Sequence, residues 1–396
     1  MNPHTEVFYR NNQEYWSDLT DSLKHRIYTY VCHPKVILPY LRYRKVCRKS
    51  SDIVLRNRAL ANVLNAYEAS LLYRMLFVRS MKAEDEKLNE LYKDQRMEID
   101  RSDPQKKDYY SVVTILKNEA RDIREFVLFY QATGADHIYI YDNESEDNLL
   151  EMLDPFIQSG LVVYIKWPGE IVQTAAYRDA VRRTLHRTKW LAIVDSDEFL
   201  YPVKGDMKEQ LRAYEDYPGV CANWLMFGPN GHVNRPNGLV MDSYTSAILD
   251  YNAQVNCHIK SIVQPKQVAT ITSTHFAMYK KGRMAVDEQK IPIGNENAFV
   301  KRLARAFTPE NRRDVFRINH YYTRSVEDLR NKCERGSADG VPSRQMEQCL
   351  QMFEVPLGID FTIKPYADIV RLRCEKYSQP GERQEDNKCT VGIDEV

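Results

Sequence analysis

From residue 109 onward, short apolar runs alternate with stretches whose apolar residues return every three or four positions. Residues 110–116 form a β-branched apolar run, and 120–132 carry Ile123, Phe126, Val127, Phe129 and Tyr130 at helical spacing, with Gly134 as a stop signal. Residues 137–141 and 161–165 read as further strands. Residues 149–157 read as an amphipathic helix that Pro155 breaks or delays, and 175–185 as another helix. Alternation at this interval predicts βαβ units and a mostly parallel sheet, an α/β architecture. The fourth strand, 190–194, is continuously apolar, as strands buried on both faces tend to be. It ends in Asp195-Ser196-Asp197-Glu198, three carboxylates in four residues. In extended chain Asp195 and Asp197 project to one side and Glu198 to the other. Open α/β sheets bind ligands beyond the C-terminal ends of their strands, and two converging carboxylates there suit a hard divalent cation. An acidic loop after a core strand is the structural alternative.

Beyond Pro202 the pattern loosens. Residues 220–227, 259–263, 268–272, 276–279 and 316–322 read as strands separated by long loops, among them the Gly-, Pro- and Asn-rich 228–238. Residues 325–335 read as a helix with Ser325 as N-cap and Asp328 in the position of a capping-box acid. The first 105 residues read as a helical extension, 106–340 as the α/β domain, and 341–396 as a helical segment with a disordered tail.

Charge changes the picture only locally. The net charge of +1 over 396 residues argues against a general nucleic-acid binder, and no DNA- or RNA-binding motif is present. Residues 22–65, however, hold ten basic residues against the single acid Asp52, interleaved with Tyr28, Tyr30, Tyr40 and Tyr43. Such a segment can lie on an anionic membrane surface, or simply be a solvated helical face. The eight cysteines are scattered without a CxxC pair, which suits reduced thiols. With no signal-peptide pattern and no transmembrane-length apolar run, the expected compartment is the cytoplasm, peripherally at the inner face of the membrane.

Four motifs fall at predicted strand ends: Lys117-Asn118-Glu119; Gly134-Ala-Asp-His-Ile-Tyr-Ile-Tyr-Asp142-Asn-Glu-Ser-Glu-Asp147; Trp190-Leu-Ala-Ile-Val-Asp195-Ser-Asp197-Glu-Phe199; and His320-Tyr-Tyr-Thr-Arg324-Ser325. Together they resemble glycosyltransferase family 92 and related family 2-like enzymes of the GT-A type, over residues 108–335. The resemblance implies a Rossmann-like mixed sheet flanked by helices, here with an N-terminal helical extension. It implies Asp197 as the main ligand of a divalent metal, Asp195 at the ribose or the metal, and His320 completing the metal site. An imidazole among carboxylates favours manganese over calcium, with magnesium as the other option. Asp142 matches the carboxylate that recognises a uracil base, Asn118 and Glu119 would line the nucleotide pocket, and Lys260 and Arg324 would meet phosphate oxygens.

Alone, Asp142-Asn143 equally reads as an Asx turn, His320 as a core histidine and Glu119 as a first-turn helix acid. An inverting transfer needs a base for the acceptor hydroxyl; His232, Asp242, His275 and Glu296 are the candidates, with His232 and His275 nearest the matched motifs. Glu198 points away and supports the loop. The implied activity is transfer of a sugar from a nucleotide-sugar donor, a UDP-sugar, to a glycan or lipid-linked acceptor in surface polysaccharide synthesis. Two other classes stay open. A nucleotidyltransferase would carry a Gly-rich phosphate loop after the first strand, where Leu116-Lys-Asn-Glu119 stands. A non-catalytic carbohydrate-binding protein would explain the 26 tyrosines without needing Asp195, Asp197 and His320 together.

Overall fold

The structure is a computed structural model, and it describes Arg10, Gln13 and residues 34–68, 71–251, 253–293, 306–308, 310–336 and 345–377. Among the described residues three helices, α1 (Pro34–Lys49), α2 (Ile53–Glu68) and α3 (Leu71–Tyr92), precede a nine-stranded mixed sheet. Its strands are β1 (Met97–Ile99), β2 (Asp108–Leu116), β3 (His137–Asp142), β4 (Val162–Lys166), β5 (Thr188–Ile193), β6 (Glu198–Pro202), β7 (Gly219–Met226), β8 (Ile259–Val263) and β9 (Phe316–His320). They lie in the order β1-β4-β3-β2-β5-β8-β7-β9-β6. Strands β4, β3, β2 and β5 pair in parallel, and β7 pairs in parallel with β9. Because β8 is antiparallel to both β5 and β7, those two blocks point the same way. Six strands therefore end at one edge of the sheet, where an α/β architecture places its ligands.

Helices α4 (Ala120–Ala132) and α5 (Leu149–Gln158) cover one face, with Phe126, Phe129, Leu153 and Phe156 fully buried. Helix α6 (Gln173–Thr184) covers the other through Ala176, Tyr177 and Ala180. The α/β reading, a mixed sheet flanked by helices behind an N-terminal helical extension, matches this architecture. Three expectations change. Helix α5 runs unbroken through Pro155, whose missing N–H falls late in an otherwise amphipathic helix with its apolar face in the core. Residues 97–99, inside the segment read as helical, add an antiparallel edge strand to β4. Residues 198–202, which belong to no predicted element, form the far edge strand β6.

The terminal segments are tied to this core. Asp85 of α3 receives Arg178 and Arg182 of α6 at 2.7 and 2.5 Å, with Arg178 and Asp85 both buried. The C-terminal helix α8 (Lys364–Tyr377) buries Tyr366, Ala367 and Val370 in the main core, so it packs as part of the α/β body. The expected disordered tail and Glu296 lie outside the described residues. The six described cysteines, including Cys221 and Cys257, are free thiols.

Candidate active site

The six strand ends frame a cavity of about 790 Å³ whose lining includes Asn118, Glu119, Asn143, Glu144, Asp195, Asp197, His275, His320 and Arg324. That volume suits a ligand of nucleotide-sugar size. Three non-glycine residues on three of these ends hold left-handed backbone: Asn118 (φ 56°), Glu144 (φ 61°) and Arg324 (φ 49°). Such conformations cost on the order of 1–3 kcal/mol each and gather where a site is pre-shaped. Local bonds hold two of them in place. Asn118 accepts the Glu146 N–H at 2.8 Å, and the Arg324 guanidinium meets Glu119 at 2.8 Å and Asp122 at 2.5 Å.

The segment after β5 is a tight turn, not extended chain. The Glu198 N–H donates to the Asp195 carbonyl at 3.1 Å, and the Glu198 carboxylate accepts the Asp195 N–H at 2.8 Å. The chain then returns as β6, in which Glu198 stands opposite His320 of β9. This pairing brings the Asp195–Glu198 turn beside the histidine far along the chain. His320 Nε2 lies 3.5 Å from Asp197 Oδ1.

Two lysines occupy the carboxylates. Lys260 of β8, buried, lies 2.7 Å from Asp195 and 3.3 Å from Glu198. Lys332, from helix α7 (Val326–Arg335), lies 2.6 Å from Asp197 Oδ2. Asp195 Oδ1 also accepts Gln173 at 2.9 Å and the Tyr177 hydroxyl at 3.1 Å. Burial alone would raise the Asp197 carboxyl; Lys332 and then His320 outweigh it and hold Asp197 well below the usual carboxylate range. Around Lys260 one ammonium serves two carboxyl groups, the wholly buried Glu198 and the partly exposed Asp195. Burial pushes the fully enclosed Glu198 up to about 8, and its Oε1 accepts no hydrogen bond. The folded chain therefore favours the protonated acid. The stability that proton supplies is complete below the ordinary value of 4.5 and is lost as pH rises through about 8. We expect the thermal midpoint to fall by several degrees between pH 6 and 9, and Glu198→Gln to remove most of that fall. Parallel profiles for the two proteins would refute this.

The expected metal set does not fit as folded. Asp195 and Asp197 each face a lysine, and among the described residues no group of three or more His, Cys, Asp or Glu is arranged to hold a metal ion. Other expected positions are also revised. Asp142 does not line the cavity: its carboxylate accepts the Ser145 N–H at 2.8 Å and the Tyr164 hydroxyl at 2.6 Å, the Asx-turn alternative, while its neighbours Asn143 and Glu144 reach the cavity. Lys260 is buried against Asp195 and does not line the cavity. His232 packs on Tyr244 with Nε2 3.2 Å from the Ser243 carbonyl, outside the cavity, and Asp242 pairs with Arg371. Glu119 and Arg324 reach the cavity, but as partners in an ion pair that also includes Arg335. His275 is the proposed base that does line it. Its Nδ1–H donates to the Ile259 carbonyl at 3.0 Å, leaving the Nε2 lone pair for another group. Burial, with help from Lys260, lowers its pKa to about 4, so the ring is neutral.

Lys332 and Arg335 were not anticipated. Cations in the last turn of a capped helix are already explained by the helix dipole, and only the packing of α7 against the cavity marks them out.

An α/β sheet whose aligned strand ends close over a charged cavity defines a ligand-binding class of fold, not one chemistry. The family follows from comparison. The sequence model of glycosyltransferase family 92 matches residues 110–325, more than half of the chain, and the chain belongs to that family. It is similar to a glycosyltransferase family 92 protein of Oryza sativa subsp. japonica, 30% identical over 186 residues, which are 44% of this chain and 30% of the relative. A glycosyltransferase family 92 protein of Ricinus communis is 27% identical over 43% of this chain and 31% of its own. The chain thus spans about a third of the length of the curated relatives it matches. Among solved structures, GalNAc-T7 with UDP, GalNAc and Mn2+ aligns with 64% of this chain and 55% of its own at 11% identity and a TM-score of 0.27, too low to carry a structural argument.

Proposed function

We propose that this protein transfers a glycosyl group from a nucleotide-sugar donor, a UDP-sugar, to a hydroxyl of a glycan or lipid-linked acceptor, with inversion. The observation that carries the reading is the convergence of Asp195, Asp197, His275 and His320 at one cavity of a family 92 chain. In the reaction the acceptor oxygen bonds to the anomeric carbon as the bond from that carbon to the diphosphate breaks. The acceptor proton passes to His275 Nε2, and the nucleoside diphosphate leaves with the bonding electron pair. Asp197 orients His320 and Lys332 at the floor of the cavity. No step is assigned to manganese or magnesium, because the residues as folded do not offer three ligands. The test is donor consumption screened across UDP-, GDP- and CDP-sugars with and without manganese; no turnover with any of them would overturn the reading.

A second observation supports placement at a membrane. On α1, Leu38 is 60% exposed and Leu41 54%, and exposed Arg42, Arg44, Lys45, Arg48 and Lys49 follow along the same helix, which has no acidic residue. Each cation adds about 1 kcal/mol at an anionic surface. No helix among the described residues is long and apolar enough to cross a membrane, so contact here would be peripheral. The chain is expected to co-sediment with phosphatidylserine vesicles and not with neutral ones, and Arg48→Glu with Lys49→Glu to release it. Unchanged binding by that double variant would refute the placement.

A further inference from the structure

The cations around the cavity fall into two groups. Lys260 and Arg324 are enclosed, at 1% and 8% exposure, and are each held between two carboxyl groups. Lys332 and Arg335 are different. Their side chains are 33% and 27% exposed and line the cavity from the last turn of α7. Helix α7 is a firm support for them. Ser325 and Asp328 form a capping box at its start, and the Val326 and Glu327 N–H groups donate to the carbonyls of His232 and Val233 at 3.1 and 2.9 Å.

The ammonium of Lys332 donates to Asp197 at 2.6 Å and to the Tyr322 carbonyl at 3.2 Å. It sits 4.1 Å from the centre of the Tyr322 ring. An ammonium carries three N–H donors, so these two bonds leave one unassigned on a side chain that lines the cavity. The Arg335 guanidinium, held by Glu119 at 3.1 Å and by the Lys117 carbonyl, adds a planar donor array one helical turn away. Asp197 therefore has a tethered cation beside it, on the position where a divalent ion would be expected.

We propose that Lys332 and Arg335 bind the donor's diphosphate and neutralise the charge it develops on leaving, with the Lys332–Asp197 pair as the arrangement of the site before the donor arrives. The proposal rests on the nucleotide-sugar reading above and adds which residues meet the diphosphate. It also requires that nucleoside diphosphate binding does not depend on a divalent metal. The two α7 cations lie three positions apart and so share a helix face, which suits two adjacent phosphoryl groups.

The experiment titrates UDP, UMP and uridine into the full chain by calorimetry, in EDTA and again in manganese, for the wild type, Lys332→Met, Lys332→Arg and Arg335→Met. The wild type is expected to bind UDP in EDTA. Lys332→Met should weaken UDP roughly 10- to 100-fold, the range for a lost hydrogen bond to a charged group, while leaving uridine unchanged. Lys332→Arg should recover most of the loss, and Arg335→Met should weaken UDP in the same sense. In steady-state transfer, Lys332→Met should raise the donor KM and lower kcat together. A merely structural lysine would shift the thermal midpoint and treat UDP and uridine alike. UDP binding that requires manganese, or that is equal in Lys332→Met and wild type, would overturn the assignment while leaving the donor reading standing. Failure of the wild type to bind any nucleoside diphosphate would remove the donor reading, and this assignment with it.

Discussion

Replacement of Lys260 by methionine is expected to cost about 3–5 kcal/mol of folding stability, read as the urea midpoint of Trp fluorescence. Lys260 is 1% exposed and lies between Asp195 and Glu198, the second of which is wholly buried. Methionine keeps most of the volume and removes the charge. The Asp195 carboxylate and the neutral Glu198 acid then face one another with Gln173, Tyr177 and a backbone N–H as their remaining donors. A buried charge without its partner is what makes such a deletion costly; the intact pair contributes far less than its loss suggests. Adding Glu198→Gln to Lys260→Met should recover little of the loss, because Glu198 is already the neutral acid and the charge left without its partner is that of Asp195. A loss below about 1 kcal/mol in the single variant would show that water reaches this cluster and that the burial argument is wrong.

Asp197→Ala should lower kcat/KM for donor turnover by about 10²- to 10³-fold, the scale of removing one pre-organised polar group from a reaction centre. Asp197 orders two groups at once, His320 on one oxygen and Lys332 on the other. Stability should change little, since Lys332 is a third exposed and can be hydrated when its partner is gone. Asp197→Asn separates the two roles: it retains the shape and loses the charge that holds the ammonium. If Asp197→Ala turns over within threefold of wild type, the turn after β5 is a structural element and the site must be sought elsewhere in the cavity.

The parallel half of the sheet was legible because β2, β3, β4 and β5 are apolar on both faces and the helices between them keep strict periodicity. The capping box at Ser325 and Asp328 was legible for the same reason, being a local hydrogen-bond pattern. Strand β6 was hidden by its first residue: Glu198 reads as a support for the acidic segment, yet the fold buries it in a strand against a lysine whose approach no local pattern reveals. The assumption of extended chain placed Asp195 and Asp197 on one side, whereas a turn sends them to different lysines. Asp142 shows the limit from the other direction. Its motif fits a base-recognising carboxylate, but the Tyr164 hydroxyl on the neighbouring strand donates to one of its oxygens and the Ser145 N–H to the other. Lys332 lay beyond any sequence argument because its partner is distant in the chain and its local setting is ordinary.

The placement of β6 has a consequence for the order in which the molecule can be assembled. β5 ends in the middle of the sheet, but β6, which begins three residues after Asp195, belongs at its outer edge and pairs only with β9. During synthesis β9 has not been made when Asp195 and Asp197 leave the ribosome, so the parallel half can close well before the turn between β5 and β6 is clamped. The turn that carries Asp195 and Asp197 is thus clamped only after Phe316–His320 has been made. A nascent or truncated chain ending before Phe316 would carry both aspartates on an unpaired edge segment.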